Sequence, residues 1–572
     1  MSAVKHIACA LLLLPLILMS QQKDTTKIGK PIPDVRRFEV TPPNPDLQFL
    51  NAQREKQSTD LPKIDLPEFV ITGTAMMELP EVQKLDVDEL GAFQLTVAPA
   101  KIGLRDRTTL EFVREQKLGY SPPIHSPFFG RVLVSGATHF TPEIDFSFGQ
   151  SSPEGYFLSH ANYYSTKGYV PSSNRSKGAV DLSGGTTLES PSSWLNQNML
   201  HATFGLSSET YQFFGSTSPS LARSVTAISL GTSLTSSPAE AWSYQYAMDY
   251  SNLTMKDSSQ KTTENRVDLL LVSSVPGSFI PLTGKVRFNG VTYSGGNSGS
   301  LPYLDIELST KRLWWKNLFM QASGHLYLAK GMMDQKVSRV YPHLYLGARI
   351  IEGFTLSTSY RGIISFSSFH DYLQVQPYLG SSSLLLFSDI STEISGGIEG
   401  HLGSWLDVKF DTRYQSIRNQ PILSNPGNQG VWSFSYGGKT TWITYSTDII
   451  AKLSPNVYFA LAIDANETKN SILDHPLPYV ANVLASTRLV YGFENGLSIS
   501  PQFDYIGKRS IDTFTDRSLP GYLLTGIAVQ YAFHRSWNAM IDFQNLFDNK
   551  FDEWQGYRGT PFMMRIGVEF KW

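Results

Sequence analysis

The chain has little of what a helical membrane protein or a nucleic-acid-binding protein requires. Its 572 residues include one cysteine, Cys9, and charged residues make up only 17% of the sequence. The formal net charge of −2 leaves no basic excess, so we expect no nucleic-acid partner. After the first 20 residues, no run approaches the roughly 20 apolar residues of a membrane-spanning helix. Any part that crosses a membrane would therefore cross it as strands.

The sequence also lacks the patterns of an enzyme site or a metal centre. The 11 histidines are scattered, and neither a metal-ligand pair at helical spacing nor a Gly-x-Ser-x-Gly segment occurs. The glycine-rich run 295–299 has no lysine and no helix of the kind that a phosphate-binding loop needs. We expect no catalytic residues, no metal and no cofactor. A serine–histidine pair on neighbouring strands is the alternative that remains open.

The first 127 residues differ in character from the rest. Residues 1–20 have the layout of a secretory signal peptide, with a basic start, an apolar run from Ile7 to Met19, and Ser20 before polar sequence. The mature chain is therefore expected to be exported and free of cysteine. Residues 21–127 are rich in proline and show no sustained periodicity, which predicts an extended periplasmic arm.

From residue 128 to residue 572 the sequence alternates between apolar and polar residues in short segments. The C-terminal segment 562–572 is the clearest case, because its apolar face carries Phe562, Met564, Ile566, Val568, Phe570 and Trp572. The opposite face carries charged residues, which suits a barrel wall with lipid outside and water inside. Allowing about 20 residues for each strand and its connection, we predict an all-β fold, a large antiparallel transmembrane barrel of about 22 strands.

The connections in the second half of this region alternate between long and short. Long loops are predicted near 419–429, 467–479, 507–521 and 546–561, and short turns near 400–403, 454–456, 494–496 and 534–536. Barrels of this kind place short turns on the periplasmic side and longer loops outside. The long set is therefore predicted to be extracellular. These loops are short for enclosing a large ligand.

Three stretches of the barrel region resemble the TonB-dependent receptor family of outer-membrane transporters. They are Asn545-Leu546-Phe547-Asp548 and the loop to Gly559, the segment from Leu477-Pro478-Tyr479 to Gly507, and the strand pair from Ser391 to Tyr414. Their order and spacing follow the ends of the family's barrels. The resemblance implies a location in the cell outer membrane, contact with outer-membrane lipid, and uptake or binding of a nutrient.

A fourth stretch in the arm is similar to the family's TonB box. It reads Glu68, Phe69, Val70, Ile71, Thr72, Gly73, Thr74. The resemblance implies that TonB is a partner, since a TonB box adds a strand to the sheet of the energising protein through backbone hydrogen bonds. A β-branched run flanked by proline also occurs without that role, and this alternative stays open.

One departure from the family pattern concerns the plug. The family's barrel is closed by an N-terminal plug of well over a hundred residues, whereas about 53 residues separate Thr74 from Phe128. A barrel of about 22 strands has a lumen wide enough to require filling. Three alternatives follow: residues 75–127 form a reduced plug, a separate plug or partner protein fills the lumen, or the lumen is narrower than the family's.

The aromatic C-terminus resembles the signal that the barrel-assembly machinery reads on new outer-membrane proteins. On this basis Phe570 and Trp572 have an assembly role, with that machinery as a partner. Aromatic residues of the membrane interface would give the same pattern, and both roles can hold at once. Trp314-Trp315-Lys316 is interpreted as part of such a girdle.

The function expected from the sequence is nutrient uptake or binding at the outer membrane by a receptor-like barrel. The first alternative is a barrel without a plug that anchors partner proteins through the 21–127 arm. The second is a passive porin.

Overall fold

The computed structural model describes residues 128–572, except 153–154, 190–194, 237–241, 258–259, 276–280, 297, 334, 404, 474 and 513–516. The predicted signal peptide, the arm and the segment 68–74 lie outside the described residues.

Strands make up nearly all of the described regular structure. They are β1 Phe128–Ala137, β2 Thr141–Ser152, β3 Gly155–Thr166, β4 Arg175–Thr187, β5 Met199–Gln212, β6 Ala222–Thr235, β7 Ser243–Asp257, β8 Lys261–Val275, β9 Leu282–Ser294, β10 Gly299–Thr310, β11 Leu313–Trp315, β12 Leu318–Lys330, β13 Lys336–Ile351, β14 Phe354–Ser365, β15 Ser388–Leu402, β16 Leu406–Arg418, β17 Ile422–Ser424, β18 Ser433–Ser435, β19 Lys439–Ser454, β20 Val457–Asn470, β21 Val483–Gly492, β22 Leu497–Ile506, β23 Arg509–Ser510, β24 Ser518–Leu519, β25 Tyr522–His534, β26 Trp537–Gln544, β27 Asp552–Trp554, β28 Tyr557–Arg558 and β29 Met563–Lys571.

Two short helices lie in the connections. Helix α1 spans Phe369–Val375, and a 3₁₀ turn spans Pro426–Asn428. Within the described part of the chain, no helix has the length and apolar character needed to cross a membrane.

Twenty-two of the strands form one closed antiparallel barrel, as the alternation predicted. Each strand pairs with the next along the chain, and β1 closes the ring by pairing with β29 from Arg131 opposite Lys571 to Ala137 opposite Arg565. Strand β11 pairs only with the start of β12. The short pairs β17–β18, β23–β24 and β27–β28 lie in connections and are not part of the wall.

The two faces of the wall differ in the way that the alternation predicted. Bulky apolar side chains such as Val134, Leu269 and Leu328 are exposed on the outer face. Their neighbours in sequence point inward, where Arg565 pairs with Glu143 at 2.8 Å and with Asp542 at 2.8 Å. An apolar outer belt suits hydrocarbon, and a wall of paired charges suits a water-filled lumen.

In the second half of the barrel, the long connections lie at one end. The described residues of 366–387, 419–438, 471–482, 507–521 and 545–562 lie at the end opposite the start of β1 and the C-terminus, whereas the described residues of the short turns 403–405, 455–456, 493–496 and 535–536 lie at the other end. This confirms the predicted alternation. One predicted loop is longer than expected, because the connection near 419–429 spans 419–438, and the connection 366–387 was not predicted. Both connections contain polar residues, proline and glycine in no regular pattern, so the sequence has no periodicity from which their bounds could be predicted.

Candidate functional site: a cap across one mouth of the barrel

Five connections meet over one mouth of the barrel, and we call them together the cap. They are the described residues of 366–387, 419–438, 471–482, 507–521 and 545–562. Most of their buried apolar side chains form one cluster with the inner faces of β7, β9, β10 and β12, strands on the opposite part of the wall, while Ile422 and Leu477 belong to a second cluster with wall residues. The cap therefore reaches across the mouth.

The centre of the cap is a group of aromatic rings packed at tilted and edge-to-face angles. Trp432 and Tyr479 are fully buried, and their ring centroids are 5.8 Å apart. Trp554 lies 5.5 Å from Trp432 and 4.7 Å from Tyr479, and Tyr557 lies 5.5 Å from Trp432. These four residues come from three different connections. Such aromatic pairs contribute roughly 0.5–1.5 kcal/mol each beyond the area that they bury.

Burial also fixes the protonation state of this centre. It raises the pKa of the Tyr479 hydroxyl to about 12. The phenol therefore stays protonated above the pH at which an exposed tyrosine ionises.

Helix α1 attaches the connection 366–387 to the wall. Ser368 and Asp371 form a capping box, in which each side chain accepts a hydrogen bond from the other residue's backbone N–H. The backbone N–H of Phe369 donates to a carboxylate oxygen of Glu264 on β8 at 2.7 Å. The Phe369 ring lies 5.5 Å from that of Tyr293 on β9. A seven-residue helix is unstable alone, so these contacts with the barrel hold it in place.

Arg223 on β6 makes the most concentrated polar contact between wall and cap. Its guanidinium forms two hydrogen bonds with Asp257, Nε to Oδ1 at 2.6 Å and Nη2 to Oδ2 at 2.8 Å. Its Nη1 donates to the carbonyl oxygens of Pro377 at 2.9 Å and Leu379 at 2.6 Å. The side chain is only 1% exposed. One buried cation thus satisfies a wall carboxylate and two cap carbonyl groups.

A second attachment joins the connection 419–438 to the β5–β6 loop. The backbone N–H of Thr217 donates to the carbonyl of Gln429 at 3.0 Å. Gly430 follows with φ of 73°, and a Cβ at that position would lie 2.6 Å from the Cα of Ser216. Glycine is therefore required here by both the backbone conformation and the close approach. The Tyr557 hydroxyl completes the join by donating to the Gly430 carbonyl at 2.7 Å.

Two of the segments that resemble the receptor family contribute residues to this cap, whereas the third, Ser391 to Tyr414, lies in the wall strands β15 and β16. Tyr479 belongs to the aromatic centre of the cap. The Asn545 side-chain amide donates to the carbonyl oxygens of Asn549 and Thr560, at 2.9 and 3.0 Å, and the Asp548 carboxylate accepts from the Phe562 N–H. These residues shape the last long connection.

A serine–histidine pair, the alternative left open by the sequence, does occur inside the barrel. Ser323 Oγ lies 3.2 Å from His325 Nε2, and His325 Nδ1 lies 3.1 Å from Asp305 Oδ1. A carboxylate oxygen of Glu307 is 3.8 Å from the same Nε2, and the Tyr327 hydroxyl is 3.1 Å from Nδ1. Both ring nitrogens of His325 thus lie within 4.0 Å of a carboxylate oxygen, so the imidazole is part of a polar cluster on the lumen wall formed with Asp305 and Glu307.

Within the described ranges, no group of three or more histidine, cysteine, aspartate or glutamate residues has the geometry of a metal site.

The predicted site residues fall into two groups. Glu68 to Thr74 lie outside the described residues, so the TonB-box hypothesis stays a prediction. Phe570 and Trp572 lie on the outer face at the closing seam, with Phe570 4.7 Å from Trp537 and 5.5 Å from Trp572 between ring centroids. Trp315, in the predicted girdle, is 74% exposed at the short-turn end.

Sequence reasoning missed the residues that build the cap. Arg223 sits in an ordinary alternating strand, and Trp432 follows a glycine-rich loop. The capping-box pattern of Ser368 and Asp371 was a signal for α1 that could have been read. Sequence carries no comparable signal for contacts between connections.

Comparison with solved structures identifies the fold of this capped barrel. The chain is similar to the FrpB iron transporter from Neisseria meningitidis, with a TM-score of 0.62 and 11% identity over 78% of this chain and 82% of that chain. It is also similar to the siderophore receptor PiuA from Acinetobacter baumannii, at 0.61 and 9% over 78% and 82%. The ferric-catecholate import receptor Fiu from K12 E. coli gives 0.60 and 9% over 78% and 81%.

The chain has the barrel fold of these solved transporters and receptors. No protein-family model matches it, and a search of curated proteins finds no match. At these identities the similarity establishes the fold of the receptor-type barrel and not its cargo. A large barrel with an apolar outer belt is consistent with the cell outer membrane.

The seam of the receptor-type barrel gives a first prediction. Trp572 exchanges two backbone hydrogen bonds with Gly130, both 3.1 Å long. Deleting Lys571 and Trp572 should reduce the yield of folded barrel several-fold, since it removes these bonds and the terminal aromatic ring. Heat-modifiable gel mobility of membrane fractions measures the folded fraction.

The Trp315→Ala variant is the control, because it removes another exposed interfacial tryptophan away from the seam. Equal yields for the truncated chain and the wild type would contradict a role of the terminus in assembly or closure.

Proposed function

We propose that this protein is a gated outer-membrane barrel that takes up or binds a nutrient and is energised through residues 68–74. The observation that carries the proposal is the cap, because it lies across the mouth of a wide barrel whose inner wall is polar. An uncapped barrel of 22 strands would leak solutes. A cap held by a few buried contacts can close the mouth at rest and yield to a ligand or to force.

The inner wall supports a polar cargo. Besides Arg565 with its two acids, Arg361 pairs with Glu393 at 2.5 Å and Arg287 pairs with Asp268 at 2.5 Å. A solute that passes such a wall exchanges hydrogen bonds with it. The similar solved structures are named for iron, copper and siderophore cargo. A metal complex is therefore the first class to test.

The proposed partner is TonB, and it follows from the segment 68–74 together with the receptor-type fold. Strand addition uses the backbone N–H groups of the added segment. Proline has no N–H, so the double variant Val70→Pro and Thr72→Pro should abolish the energised process. The matched control is the double variant Val70→Thr and Thr72→Val. It exchanges the two β-branched side chains and keeps every backbone N–H donor.

The experiment measures growth in a medium where it depends on this protein. We expect the proline variant to grow as slowly as a strain that lacks the protein, and the control variant to grow like the wild type. Normal growth of the proline variant, with normal amounts of folded barrel, would overturn energised uptake. That result would favour the alternative of an anchor for partner proteins.

The passive porin makes a different prediction for single-channel conductance in planar bilayers. A porin gives large and steady currents. With the cap in place, we expect the full chain to give none. Steady currents from the unmodified protein would overturn the gated barrel.

A further inference from the structure

Two pairs of lysines face each other on neighbouring strands near the capped mouth. Lys256 on β7 is directly opposite Lys261 on β8, and Lys330 on β12 is directly opposite Lys336 on β13. All four side chains are exposed, and none forms an ion pair with any residue in the described part of the chain. Like charges directly opposite each other destabilise a sheet. A bound anion would relieve both pairs.

The alternation of the strands places these lysines on the membrane side of the wall. Lys261 shares its face of β8 with Leu269, and Lys336 shares its face of β13 with Val340, which is 73% exposed. The lumen face of the same strands takes the other residues, among them Glu264 and His325. The lysines therefore point away from the lumen, above the apolar belt.

The hairpin between the two pairs adds hydroxyl groups on the same face. Thr292 and Ser294 on β9 and Ser300 on β10 are all exposed there. Strands β9 and β10 separate β8 from β12, so three strand spacings of about 4.8 Å place the lysine pairs roughly 15 Å apart across the sheet. We call the four lysines and these three hydroxyl residues the lysine–hydroxyl strip. Ammonium and hydroxyl donors are the groups that bind phosphate oxygens.

Acidic side chains on the neighbouring turns do not account for the strip. Asp257, beside Lys256, is engaged by the buried guanidinium of Arg223 on the other face of the wall. Asp334, in the turn after Lys330, lies outside the described residues. Four lysines thus face at most one acidic turn residue.

We infer that the lysine–hydroxyl strip binds the phosphate groups of a lipid in the outer leaflet of the membrane. The long connections put this end outside, where a membrane lipid presents its headgroup just above the hydrocarbon. Leu328, Val340 and Leu344, exposed on the same face below the strip, would contact its acyl chains. A dissolved anion would make no contact with that apolar surface, whereas the acyl chains of a lipid would. The strip therefore fits an amphiphile with a phosphorylated headgroup.

The test uses the full chain, purified and stripped of lipid in a neutral detergent. Native mass spectrometry would compare binding of a bisphosphorylated lipid A with binding of the same glycolipid after removal of its phosphates, and inorganic phosphate would be the competitor. We expect at least tenfold weaker binding of the dephosphorylated lipid. A lysine near an anionic membrane surface contributes about 1 kcal/mol, or about fivefold in affinity, so each double variant should lose roughly tenfold or more.

The double variants are Lys256→Gln with Lys261→Gln, and Lys330→Gln with Lys336→Gln. The control is Lys508→Gln with Lys550→Gln, which removes two exposed lysines of the cap connections and should bind like the wild type. Heat-modifiable mobility confirms that every variant is folded. Wild-type affinity in both strip variants, an equal loss in the control, or full competition by millimolar inorganic phosphate would each overturn the lipid site.

Discussion

Replacing Arg223 by methionine should open the cap and expose the upper lumen to the outside. The variant loses the donors to Pro377 and Leu379 and leaves the carboxylate of Asp257 without its cation. Removing one partner of a buried ion pair costs about 3–5 kcal/mol. Most of that cost falls on the contact between the connection 366–387 and the wall, because Arg223 bridges them.

The opening can be measured without knowing the substrate. A reporter cysteine at Ser207, on the inner face of β5 and four residues further from the capped mouth than the partner position of Arg223, would be labelled by a bulky, membrane-impermeant maleimide added to intact cells. The only native cysteine is Cys9, in the predicted signal peptide, so the label reports this position alone. We expect labelling at least tenfold faster in the Arg223→Met background.

Two controls separate this effect from general instability. Arg558→Met removes an exposed arginine of the cap and should leave the labelling rate unchanged. Heat-modifiable gel mobility is the second control: it should be the same for wild type and Arg223→Met, because Arg223 holds the cap and the wall strands pair without it. Equal labelling of wild type and Arg223→Met would show that Arg223 does not hold the cap.

Replacing Trp432 by alanine should unfold the cap locally and leave the barrel intact. Trp432 is the largest fully buried side chain of the described residues, and it contacts rings from three other connections. Truncation of a buried tryptophan costs about 3–5 kcal/mol, because the ring's burial is lost and a cavity remains. Strand ladders of the wall do not include this residue, so their stability should not change.

Amide hydrogen exchange can be measured separately for the cap and for the wall strands. The Gly380 N–H donates to the Trp432 carbonyl at 2.7 Å, and the Trp432 N–H donates to the Tyr378 carbonyl at 3.1 Å. We expect cap amides such as these to exchange about a hundredfold faster in Trp432→Ala. The Trp315→Ala variant, with a ring exposed to the membrane interface, should show no change. Uniformly faster exchange in the wall strands would contradict a cap that opens independently.

Much of the architecture was predictable because the alternation of apolar and polar residues in a barrel strand shows which side chains face lipid and which face the lumen. In β29, Ile566 and Val568 face lipid while Arg565 and Glu569 face the lumen, and a period of two is visible without any knowledge of neighbours. The spacing of such segments gives the strand number, and the alternation of long and short connections gives the ends. The closing pair of β1 and β29 follows because a closed barrel leaves no edge.

The cap was not predictable in the same way. Trp432 and Tyr557 lie 125 positions apart and meet only because the barrel brings the ends of their strands to one mouth. Contacts of this kind have no period, and irregular connections carry the same polar, glycine and proline residues whether they extend into solvent or pack together. The connection 366–387 was missed for this reason, although its capping box marked α1.

The sequence by itself determined that this protein is a β-barrel with an apolar outer face, a polar inner face and long connections at one end. Each of those properties belongs to single strands and turns. Only the tertiary structure decided that the connections pack into a cap held by Arg223 and centred on Trp432, and that four lysines form two opposed pairs on the outer face. Those features depend on which segments the closed ring sets side by side. Register and ring closure are properties of the whole sheet and of no single strand.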